Sequence, residues 1–163
     1  MGTAVRLGGV DTEYTGHVEP GGAAATRDLD AIRITKLSVG PMDNNAYLLV
    51  DRASNEALLI DAANDPQRLS DLVGNDDARP ALRTIVTTHQ HADHWQALGA
   101  TAGAFGTNTI AHELDAAPLP VPPDFFVDDG DTITFGSAQL EVIHLRGHTP
   151  GSIALLYREP SGR

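Results

Sequence analysis

The run Thr88-His89-Gln90-His91-Ala92-Asp93-His94-Trp95 puts three histidines and an aspartate within six residues. It follows residues 81–87, Ala-Leu-Arg-Thr-Ile-Val-Thr, whose apolar lean predicts a buried strand. On extended chain, side chains two apart point to the same side, so His89 and His91 converge. A helix predicted over 95–104 puts Asp93 and His94 in the turn that opens it, where both can face a second point nearby. Imidazole nitrogen and carboxylate oxygen are donors that borderline Zn²⁺ accepts, so the segment reads as serving two neighbouring cations. The competing reading, a solvated loop, needs three of the chain's seven histidines to fall together by chance. A segment this polar, straight after a buried strand, also has no packing reason to exist.

Two other stretches bear on the same chemistry. Leu145-Arg146-Gly147-His148-Thr149-Pro150-Gly151-Ser152 carries a fourth histidine in a tight, glycine-flanked loop, and Leu59-Ile60-Asp61-Ala62 ends an expected strand in an aspartate. The glycines lack the spacing of a phosphate-binding or dinucleotide-binding loop, and Ser152 lacks the Gly-x-Ser-x-Gly context of a serine hydrolase. His144 reads as a packed or surface residue of a strand, and His112 as a solvated helix end. Asp128-Asp129-Gly130-Asp131 has neither the alternate acids nor the terminal glutamate of a calcium loop and reads as a solvated turn. Asn44-Asn45 and Tyr47 either approach a substrate or form a hairpin turn.

Composition removes whole classes of function. With no cysteine among 163 residues there are no disulfides, thiolate nucleophiles or iron–sulfur clusters. Twenty-two acids against 11 bases give a net charge of −11, a field that repels phosphate backbones and anionic lipid; neither nucleic acid nor a membrane is expected as a partner. Residues 1–30 hold no basic region followed by an apolar one, so the expected location is cytoplasmic.

Around the histidines the chain reads as α+β. Residues 1–30 are expected to form a loose N-terminal arm with a turn at Glu19-Pro20-Gly21-Gly22, and residues 31–163 a single domain. Strands at 32–39, 46–50 and 57–60 suggest an antiparallel meander. A short helix at 66–73 begins on Asp65 and Pro66, and a strand is expected near 109–111. A proline-rich loop at 116–124 follows, then a hairpin of 132–135 and 139–144 about Gly136-Ser137, then a last strand at 152–157.

The two histidine motifs together resemble those of the metallo-β-lactamase fold hydrolases, and the wording of residues 86–94 and 145–152 is similar to the glyoxalase II-like, or hydroxyacylglutathione hydrolase-like, branch. The likeness runs from about Ile32 to Tyr157. It implies the four-layer αββα fold, here its N-terminal two thirds. It implies that His89, His91 and His148 hold one metal while Asp93 and His94 contribute to a second, with Asp93 as the catalytic candidate. Asp61 either orients a ligand or substrate or ends its strand on local amides. Two zinc ions are implied for a complete domain, with iron or manganese as alternatives, and a metal-activated hydroxide that attacks a thioester or ester. The alternatives are a mononuclear iron sulfur dioxygenase-like enzyme at His89, His91 and His148, or a non-catalytic truncated metal-binding domain or half of a nicked enzyme. The family pattern places a bridging aspartate and a last histidine after the second motif. Only fifteen residues follow His148, none of them Asp or His, so a C-terminal segment or second polypeptide is expected to supply them.

Overall fold

The computed structural model describes residues 15–74 and 79–161. Strands β1 (Ala25–Asp28), β2 (Ile32–Val39), β3 (Asn44–Asp51) and β4 (Glu56–Ile60) form the antiparallel meander. Strands β5 (Ala81–Val86), β6 (Asn108–Ala111) and β7 (Phe125–Phe126) continue it in parallel, giving seven strands in sequence order. Parallel neighbours require crossovers, and helices α1 (Pro66–Gly74) and α2 (Leu98–Phe105) supply them between β4 and β5 and between β5 and β6. A second, antiparallel sheet has the order β10 (Ile153–Tyr157), β9 (Ala138–His144), β8 (Thr132–Phe135).

Strand alternation sorts the apolar residues into two cores. Leu48, Val50, Leu59 and Ile85 face Leu69 and Val73 of α1 and Leu98 of α2. Their neighbours Leu49, Leu58 and Val86 face Ile133, Phe135, Leu140, Val142 and Ile153 of the second sheet. Each such side chain contributes about 1.5–3 kcal/mol on full burial. The layers are therefore helix, sheet, sheet: among the described residues no helix covers the outer face of the three-stranded sheet, and three of the four expected layers are present.

Because both faces of the large sheet are apolar, polarity alone does not fix how the sheets dock. Asp51 does so at one end. Its fully buried carboxylate accepts from the Ser54 amide (2.9 Å), the Ser54 hydroxyl (2.6 Å) and the Ser137 hydroxyl across the sheets (2.8 Å). Burial alone would raise this carboxyl; the hydrogen bonds from Ser54 and Ser137 outweigh it and hold it below the ordinary value. The adjoining hairpin turn needs Gly136, at φ 57°, because a Cβ there would run into Ser54 and Asp51.

Three expectations change. The arm is not loose along its whole length: Ala25–Asp28 pairs antiparallel with β2, and Arg68 donates to the carbonyls of Gly21 (2.8 Å) and Gly22 (2.6 Å); residues 1–14 of the expected arm lie outside the described residues. The helix expected from Trp95 begins at Leu98, since Ala92–His94 forms a 3₁₀ turn and Trp95 leaves the helical region at φ −143°. The proline-rich loop ends in the short strand β7. No helix of the described residues is long and apolar enough to cross a membrane.

The topology also decides where chemistry can gather. Strands β4, β5 and β6 run parallel, so the residues just past their C-terminal ends emerge on one edge. Those residues are Asp61, the 88–94 segment, and His112 to Asp115. The loop between β9 and β10, which carries His148, reaches the same edge: the Ile153 amide donates to the Thr88 carbonyl at 3.0 Å.

Candidate metal centre

At that edge the imidazoles of His89, His91 and His148 come together, each offering a nitrogen within 4.8 Å of the others. Ring centroids lie 4.9 Å apart for His89 and His91, 4.7 Å for His89 and His148, and 4.6 Å for His91 and His148. His89 is buried while His91 and His148 are exposed, so the cluster opens to solvent on one side.

Proton positions follow from the partners. Asp61, itself buried, accepts from the Thr88 amide (2.8 Å), from the Thr88 hydroxyl (2.8 Å) and from Nδ1 of His94 (2.7 Å). A carboxylate only accepts, so the Thr88 hydroxyl has spent its proton on Asp61 and accepts from Nδ1 of His89 at 3.0 Å. Nδ1 is therefore the protonated nitrogen of His89, and Nε2, 3.2 Å from Nε2 of His148, carries its lone pair. His94 is held likewise, Nδ1 to Asp61, which leaves its Nε2 facing Oδ2 of Asp93 at 3.7 Å. Of the two readings left open for Asp61, the contacts are long-range: the amide it binds is that of Thr88, 27 positions along the chain, and the ring it holds is that of His94.

Electrostatics follow the same contacts. Burial first, then the neighbouring His94, keeps the His89 imidazole below the ordinary histidine value. The hydrogen bond to Asp61 raises that of His94. Asp93 is lowered, chiefly by a hydrogen bond from Nδ2 of Asn44 at 2.7 Å. Asn44, expected either near a substrate or in a hairpin turn, stands at the start of β3 and grips Asp93.

The donor set fits a divalent cation. Nε2 of His89 presents a lone pair toward the two other imidazoles of its triad, with Asp93 and Nε2 of His94 alongside. A second group, His112, Asp128 and His144, also has donor atoms within 4.8 Å, but its protons tell against a metal. Nδ1 of His112 accepts from the Leu114 amide at 3.1 Å, so Nε2 of the neutral ring carries the proton and has no lone pair to give. His112 is buried rather than solvated, its ring centroid 4.2 Å from that of His144. The pair packs behind the His148 loop, where Nε2 of His144 donates to the Pro150 carbonyl at 2.8 Å.

The family model described as the metallo-β-lactamase superfamily matches residues 39–161. A hydroxyacylglutathione hydrolase from Ruegeria pomeroyi is 36% identical over 121 residues, covering 74% of this chain and 45% of that protein. A mitochondrial persulfide dioxygenase from Bos taurus is 37% identical over 117 residues, covering 71% of this chain and 44% of that protein. The chain thus spans less than half the length of either relative. Among solved structures, ETHE1 from Myxococcus xanthus superposes with a TM-score of 0.65 at 28% identity, covering 76% of this chain and 53% of that one. The B3 metallo-β-lactamase BLEG-1 gives 0.67 at 24% identity, covering 76% and 66%, a likeness of fold alone.

Proposed function

The chain belongs to the metallo-β-lactamase superfamily, and from that premise we propose that it serves metal-dependent hydrolysis of a thioester or ester, with hydroxyacyl thioesters of glutathione as the first substrate class. The observation that carries this reading is the convergence of the His89, His91 and His148 nitrogens, with the proton of His89 already placed on the far side of its ring. In this reading His89, His91 and His148 hold one zinc ion, and Asp93 and His94 contribute to a second. A divalent cation in such a donor set supplies Lewis acidity toward a carbonyl oxygen and lowers the pKa of water toward neutrality.

The chain's own residues do the rest. Asp61 holds both His94 and, through Thr88, His89 in the tautomer that turns Nε2 inward. Asn44 fixes one oxygen of Asp93. The exposed sides of His91 and His148 leave room for substrate to enter.

The test is metal counting and a hydroxyacyl-glutathione assay on one preparation of the protein. Metal uptake with turnover is expected of the complete protein, and there Asp93→Ala should lower kcat by roughly 10²–10⁴, the range of a positioned proton-handling group. Unchanged turnover at equal metal content would remove Asp93 from the reacting set. A second reading, persulfide oxidation at a single iron held by His89, His91 and His148, is favoured by the 37% identity to the bovine dioxygenase. Oxygen uptake on a glutathione persulfide with iron-loaded protein, and no thioester cleavage, would select it.

A further inference from the structure

The two histidine motifs are far apart in sequence, and one side chain with no assigned role touches both. Asp115 follows β6 and is buried to 1% exposure. Its Oδ2 accepts from the Gln90 amide at 3.1 Å and, in a short contact, from the Thr149 hydroxyl; its Oδ1 accepts from the Gly151 amide at 2.7 Å. Gln90 lies between His89 and His91, and Thr149 is next to His148. The Gly151 backbone is pressed so close that a Cβ there would sit 2.8 Å from the Asp115 amide.

We propose that Asp115 is a positioning residue for the metal centre: its carboxylate ties the 89–91 segment to the 148–151 loop and so sets the spacing of the three imidazoles. The proposal rests on reading His89, His91 and His148 as a metal site. His91 and His148 are exposed, so packing does not fix their rings and their backbone must. Among the described residues, three donors and no acceptor face the Asp115 oxygens, a pattern that a carboxylate satisfies and an amide cannot. An asparagine would turn its NH₂ toward either Gly151 or Gln90 and lose one of the two ties while keeping its volume. A preformed ligand set tolerates displacement of only about 0.5 Å, so a slack tie appears as lost affinity.

The experiment uses the full chain as wild type, Asp115→Asn and Thr149→Val. Each is titrated with Co²⁺ while the visible ligand-field bands are followed, then with Zn²⁺ against a chelator, well below the thermal midpoint of the metal-free protein. Asp115→Asn should bind roughly tenfold to a hundredfold more weakly and shift or weaken the cobalt bands, the scale seen when groups that orient metal ligands are removed. Thr149→Val, which loses one donor and keeps the carboxylate, should fall between, and it carries the test if Asp115→Asn does not fold. A residue needed only for stability would lower the midpoint and leave the affinity and cobalt spectrum of the folded protein unchanged; that result overturns the proposal. A wild type that binds neither metal overturns the metal-centre reading, and the proposal with it.

Discussion

Asp61 has a positive φ of 58°, a conformation that aspartate accepts more readily than most residues, and from it one carboxylate reaches the amide and hydroxyl of Thr88 and the ring of His94. Its influence on stability has a definite sign. The His94 pKa is raised in the folded, metal-free protein, so the stability it contributes is complete below the unfolded value of about 6.5 and is lost as pH rises through the folded value. The Asp61 charge also pulls His89 upward against its burial, in the same direction. Asp61→Asn in metal-free protein should therefore cost more stability at pH 5.5 than at pH 8.5, measured by urea unfolding; an equal cost at both would mean that the carboxylate acts only through Thr88. At this scale the histidines and Asp93 were legible because they crowd into two short motifs. Asn44 and Asp115 were not legible as partners of those motifs. Asn44 meets Asp93 across 49 positions, and Asp115 meets its donors across 25, 34 and 36, so no local pattern announces them.

Among the elements, α1 starts as its sequence predicts. Oδ1 of Asp65 accepts from the Arg68 amide at 3.2 Å, at the third helical position after the cap. Asp65 also has a φ of 51°, so a replacement loses the cap and bears the backbone strain separately. Asp65→Ala should cost about 1–2 kcal/mol in thermal or urea unfolding, and Asp65→Gly distinctly less; the reverse order would show that the cap matters little. Strands β2 to β6 were legible because each carries apolar residues on one face or both. Strand β1, Ala-Thr-Arg-Asp, was not: it has hardly any apolar content and exists through its pairing with β2. Strand β7 is two exposed phenylalanines that pair in parallel beside β6, too short for any periodicity to register. The late start of α2 was hidden because nothing in the sequence of residues 95–97 marks the break that Trp95 makes at φ −143°.

For the molecule as a whole, the net charge of −11 opposes compaction. Raising salt from about 0.01 M to about 0.15 M shortens the screening length from roughly 30 Å to roughly 8 Å, so the thermal midpoint should rise over that range. A falling midpoint would mean that local ion pairs such as Arg158–Glu141 outweigh the general repulsion. The centre also joins His89, at the end of one sheet, to His148, on a loop of the other, across 59 positions of chain. That separation has a kinetic consequence. Such non-local contacts close late in folding, because a long loop must lose its entropy before the contact repays it. A refolding chain should therefore become competent to take up Co²⁺ only in its slowest phase, at a rate independent of cobalt concentration, with the growth of the ligand-field bands reporting the moment when the two sheets have docked.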